Sequence, residues 1–151
     1  MDYQQIKDRL SPCGINCGKC FAYKEGDIVD SSRKLKNSLG NFDVYAERFV
    51  ELLDKPVFNK YKDFKEMLEY FSSAECSGCR NEKCKLFKNC KVRSCSETKG
   101  VDFCFQCSDF PCYNTGFDKH LQERSVRINR RMAEIGVERY YEEIKDKPRY
   151  V

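Results

Sequence analysis

Residues 76–112 read CSGCRNEKCKLFKNCKVRSCSETKGVDFCFQCSDFPC, and eight of the chain's eleven cysteines, Cys76, Cys79, Cys84, Cys90, Cys95, Cys104, Cys107 and Cys112, fall inside this stretch. Leu86, Val92 and Val101 are its only aliphatic side chains besides Pro111, so it cannot build an apolar core alone. Something other than oil must hold it. Two Cys-x-x-Cys pairs, Cys76/Cys79 and Cys104/Cys107, each present two thiolates from one tight turn, and a third pair, Cys17/Cys20, lies near the start of the chain. Small residues inside the pairs, Gly18 and Gly78, let backbone amides approach the sulfurs. Tetrahedral zinc takes four such ligands, and two knuckles distant in sequence supply them while closing the loop between.

Metal is the expectation over disulfides. Met1–Leu10 is charged where an export signal would be apolar, and no apolar run approaches the roughly 20 residues that span a bilayer. A cytoplasmic protein is expected, in a compartment where structural disulfides rarely persist. An odd number of cysteines also cannot pair completely within one chain.

Spacing leaves the ligand sets open. In one partition Cys76, Cys79, Cys84 and Cys90 hold one ion and Cys95, Cys104, Cys107 and Cys112 another. In an interleaved one, Cys76/Cys79 share an ion with Cys104/Cys107, leaving Cys84, Cys90, Cys95 and Cys112 for the second. Cys13, Cys17 and Cys20 make a trio one ligand short, to be completed by water, a borrowed cysteine or His120, the single histidine. The count is then two or three zinc ions. The trio reproduces the Cys-x₃-Cys-x₂-Cys spacing of radical S-adenosylmethionine enzymes, but the chain is too short for their barrel. An iron–sulfur cluster of another kind, on four cysteines, is the alternative cofactor. Thioredoxin-type redox chemistry would need a βαβ pattern that surrounds none of the pairs.

Outward from the cysteines the chain reads as helix. Phe42, Tyr45, Phe49 and Leu52 recur at helical spacing, as do Val57, Tyr61, Phe64, Leu68 and Phe71, predicting helices over about 42–54 and 57–72 joined at Pro56. Ile28, Leu35 and Leu39 mark a weaker helix over 27–39. Asp118 caps a helix over 119–135 with Leu121, Ser125, Ile128, Met132 and Ile135 on one face, Gly136 stops it, and 137–145 follows. The fold class is mainly α, a small α+β arrangement being the alternative, with Cys-rich zinc-knuckle segments packed on a helical core. Without Trp, that core draws on eleven Phe, nine Tyr and the aliphatics. A single metal-stapled domain over 1–151 is expected, there being no linker, repeat or low-complexity tract.

The formal charge of +4 suggests nucleic acid, but a zinc ion on four thiolates carries two negative charges, so two such sites cancel the excess. The lysines and arginines around the cysteines then serve to neutralise the sites. The remaining cationic surface is the flank Arg124, Arg127 and Arg131, which could meet a protein or a nucleic acid, though a solvated helix face is the commoner outcome and weak binding or none is expected.

The run Cys13-Gly14-Ile15-Asn16-Cys17-Gly18-Lys19-Cys20-Phe21-Ala22-Tyr23, then Cys76-Ser77-Gly78-Cys79-Arg80, then Phe103-Cys104-Phe105-Gln106-Cys107 and Phe110-Pro111-Cys112 resembles the domain of unknown function 3795 family, small cysteine-rich bacterial and archaeal proteins. The resemblance extends over most of the chain, into the tail 127–150. It implies zinc binding and transfers no catalytic residue. No phosphate-binding loop, His–carboxylate arrangement or paired-acid motif stands out. The expected role is a structural-zinc interaction module; the alternative is an iron–sulfur or open-site metal protein with redox or enzymatic activity.

Overall fold

Two aspartates set the first and the longest helix. Asp2 accepts the Gln5 amide at 2.9 Å while its own amide donates to the Gln5 side chain at 3.0 Å, and this reciprocal cap starts α1, Tyr3–Arg9. Asp118 takes the Leu121 amide at 3.0 Å and starts α6, Lys119–Ile135, which Gly136 ends by donating to the Met132 carbonyl. The computed structural model describes residues 1–151, mainly α-helical, with the isolated bridge Leu10↔Asn16 as its β pairing. Between these helices lie α2, Asp27–Leu39; α3, Phe42–Leu52; α4, Tyr61–Ser72; and α5, Val92–Lys99, with α7, Val137–Ile144, after them. No helix is long and apolar enough to cross a membrane.

The chain forms two compact units, Met1–Cys20 with Cys76–Val151, and Phe21–Glu75. In the first unit, Ile6 and Leu10 from α1 meet Phe103, Met132 and the α7 residues Val137, Tyr140 and Tyr141 in one buried cluster. A second cluster gathers Cys13, Ile15, Val92 and Leu121. On α6 the residues Leu121, Ser125 and Met132 are buried as their spacing predicts, and so are the polar Gln122 and Asn129. Those two are not stray. Asn129 donates to the Cys13 carbonyl at 2.9 Å and accepts the Phe105 amide at 3.0 Å, tying two cysteine loops to the helix.

The second unit is α2, α3 and α4, and it corrects three readings of the periodicity. The span 57–72 is not one helix: Pro56–Lys60 is a 3-10 turn with proline in its first turn, and the α-helix begins at Tyr61. α3 ends at Leu52, two residues short of the expected 54, and Asp54 turns at φ 50. On α2 the wholly buried apolar residue is Val29, while Leu35 is 44% exposed. Phe42, Phe49 and Tyr61 of the aromatic stripes close with Phe58, which lies outside them, at 5.0–6.1 Å between ring centroids. Tyr45, Leu52, Val57 and Phe64 of the same stripes remain exposed, because three short helices bury only the residues at their mutual contacts.

Candidate metal centre

All eleven cysteines belong to the first unit, and the second unit is spliced in immediately after Cys20 and immediately before Cys76. The first and second knuckles therefore share one compact body although 55 residues separate them. Each is a local turn. Cys20 N–H bonds the Cys17 carbonyl at 2.9 Å. Gly78, at φ 95, donates its amide to Cys76 Sγ at 3.4 Å, a conformation that a side chain at that position would oppose. The Phe87 amide does the same for Cys84 Sγ at 3.4 Å. Amides aimed at sulfur favour thiolate over thiol, although at Cys76 burial outweighs the Gly78 amide and pushes the thiol up.

The sulfurs fall into two groups. In the first, the Cys79 thiol lies close enough to the sulfurs of both Cys17 and Cys84 to share its proton with them. Those contacts hold the Cys79 proton on, well above the usual thiol range, and draw Cys17 and Cys84 down to about 6. The Arg149 guanidinium adds to the lowering at both. Cys76 lies within the fields of Cys17 and Cys20, and Tyr150 reaches Cys20 Sγ at 3.8 Å. This group is Cys17, Cys20, Cys76, Cys79 and Cys84. Beside it, Asn16 Oδ1 is buried without a hydrogen-bond partner, a condition that ordinarily costs about 1–3 kcal/mol.

In the second group, Cys95, Cys104, Cys107 and Cys112 line one cavity of about 30 Å³. Lys99 lines it too and lies in the fields of Cys95 and Cys107 while pairing with Asp109 at 2.8 Å. Burial, then the neighbouring sulfurs, push the Cys104 thiol up to about 12.

Two cysteines pack among apolar side chains, although Cys13 lies in the field of Cys17 and Cys90 in that of Cys84. Cys13, grouped by spacing with Cys17 and Cys20, instead packs among Ile15, Val92 and Leu121, its sulfur 2.9 Å from the Ser11 hydroxyl, and burial raises its thiol to about 11. Cys90 packs against the same apolar cluster. Cys17 and Cys20 thus lie near the Cys76/Cys79 pair, and Cys104/Cys107 near Cys95 and Cys112. His120 is exposed on the first turn of α6. As the side chains stand, no group of three or more Cys, His, Asp or Glu is placed to hold an ion.

The arginine flank is partly spent. Arg131 is paired with Glu134 and Glu143 at 2.9 and 2.6 Å, and Arg124 donates to the Arg149 carbonyl. Sequence reasoning missed α1 and α5, and it missed Arg80, whose role is tertiary. The Asp2-x-x-Gln5 cap was the available signal for α1.

A family model described as protein of unknown function (DUF3795) matches residues 9–116, a span that holds every cysteine of the chain. No curated protein and no solved structure matches the chain.

Proposed function

This chain belongs to the DUF3795 family of proteins of unknown function, and we propose that it is a zinc-binding protein whose ions staple the unit Met1–Cys20 with Cys76–Val151 into an interaction module. The observation that carries this reading is the convergence of cysteines far apart in sequence: Cys17 against Cys79 and Cys84, and four more around one small cavity. The donor set is all thiol, the chemistry of closed structural zinc sites. Cys95, Cys104, Cys107 and Cys112 would hold one ion. Two knuckles, Cys17/Cys20 and Cys76/Cys79, would hold the other, with Cys84 alongside. Loading would turn the sulfurs inward from their present rotamers. Arg80, Arg149 and Lys99 would offset the negative charge of the filled sites.

One observation favours a second reading. The first group collects five cysteines, one more than a tetrahedral ion uses, and an iron–sulfur cluster could draw four from that set. Anaerobic purification without a metal-affinity column, followed by elemental analysis, separates the two. Two zinc per chain and no visible absorbance is the expected result; a brown protein containing iron and sulfide would replace it. Chelation under reducing conditions should then remove amide-exchange protection from α5 and the loops around it, while α2, α3 and α4, which carry no cysteine, keep theirs. Undiminished protection in α5 after complete zinc removal would refute the stapling role.

A further inference from the structure

Beside the second thiol group the chain presents an aromatic ring to solvent. Tyr113 is 84% exposed, yet its loop is pinned on both sides. The buried Gln122 of α6 donates to the Cys112 carbonyl at 2.8 Å and also bonds the Thr115 hydroxyl, while the Thr115 carbonyl accepts the Lys91 amide at 2.9 Å. A large apolar ring carried on a fixed loop spares the backbone part of the ordering cost when something stacks on it.

Tyr113 forms one wall of an open groove of about 800 Å³ whose other wall is α6, with Val126 on it and the guanidiniums of Arg127 and Arg130 along it. Both arginines are exposed, and neither is tied into an ion pair, unlike Arg131 next to them. Glu123 and Glu134 lie at the groove as well. They stand one helical turn before Arg127 and one after Arg130, paired with Lys119 and Arg131, and confine the free positive charge to a short stretch.

We propose that this groove binds a short single-stranded nucleic-acid segment, one base stacking on Tyr113 and two phosphates meeting Arg127 and Arg130. A flat ring beside unpaired guanidiniums suits an unstacked base and its phosphodiesters. An acidic peptide would satisfy the arginines and leave the ring unused. A duplex keeps its bases stacked on each other. The inference rests on the zinc reading in one respect: Cys112, adjacent to Tyr113, belongs to the cavity that zinc would close.

The test is fluorescence anisotropy with a labelled ten-nucleotide single strand of mixed sequence, at several salt concentrations, with zinc measured in every sample. Weak binding is expected, with a slope of log K against log salt of about −1.4, the value for two phosphates on a single strand. Tyr113→Ala should weaken it about tenfold or more and Tyr113→Phe should not. The double change Arg127→Ala with Arg130→Ala should flatten the salt slope. All three positions are exposed, so these variants keep the fold. The proposal is overturned if zinc-loaded protein binds no strand, if Tyr113→Ala binds as well as the parent, or if poly-glutamate or the matching duplex competes as strongly as the single strand. Zinc-free protein that still binds the strand with these dependences would uphold the groove and sink the zinc reading instead.

Discussion

The guanidinium carbon of Arg80 lies 4.8 Å from the ring centroid of Phe103, a side chain with no exposed surface. Arg80 follows Cys79 directly, so the residue next to a thiol knuckle is seated on the main hydrophobic cluster. Its Nε donates to the carbonyls of Lys7 and Leu10, both at 2.8 Å, and its terminal nitrogen to the Asp102 carbonyl at 2.8 Å. One side chain thereby joins the end of α1, the knuckle and the loop before Cys104.

Arg80→Ala should therefore cost about 3 kcal/mol, since several carbonyls lose a charged donor together. Arg80→Lys should recover little of that, because a point charge cannot reproduce the planar fork or lie flat on Phe103. Denaturant melts of the two variants check this; a lysine variant as stable as the parent would show that charge alone matters at this position.

The grouping of sulfurs predicts an ordering of cysteine variants. If the proposed zinc is present, Cys17→Ser and Cys79→Ser should each lose one equivalent of it, because their sulfurs belong to one group. Cys13→Ser should keep full zinc content, its sulfur being packed among apolar side chains and bonded to Ser11. Elemental analysis of the three proteins is decisive, and loss of zinc from Cys13→Ser would return that residue to the ligand set.

Gly116 sits at φ 74 with room for no side chain: a β-carbon there would lie 1.9 Å from the Asn89 carbonyl oxygen. Gly116→Ala must displace the backbone just before Cys90 and should destabilise the protein by more than about 1 kcal/mol. Gly40→Ala, also at positive φ but in open space, is the control. Equal melting temperatures for the two would mean that the close approach is relaxed at little cost.

Asp102 carries an acid-dependent part of the stability. Lys7, chiefly, and the Tyr3 hydroxyl hold its carboxyl below the usual range. A depressed carboxylate contributes fully above its unfolded pKa of about 3.9 and loses that contribution as pH falls through the folded value. The pair is partly exposed, so its effect should be under about 1 kcal/mol. Asp102→Asn should lower stability at pH 7 and converge with the parent toward pH 2; two parallel stability curves over that range would rule the contribution out.

What the sequence determined by itself was local. α6 over Lys119–Ile135 was legible because a cap, a 3.6-residue period and a terminal glycine all act within a few residues of one another, whereas for α2 over Asp27–Leu39 the bounds were legible but the buried face was not. Which members of a stripe would be covered was not legible: Phe42 and Phe49 turned into the ring cluster while Tyr45 and Leu52 stayed exposed, and only the packing of three helices chose between them. The tertiary structure also decided which knuckles meet. Spacing places Cys13 with Cys17 and Cys20, yet Cys17 meets Cys79 across the whole of Phe21–Glu75, because closing a longer loop costs little more than closing a short one and sequence distance therefore does not rank the pairings.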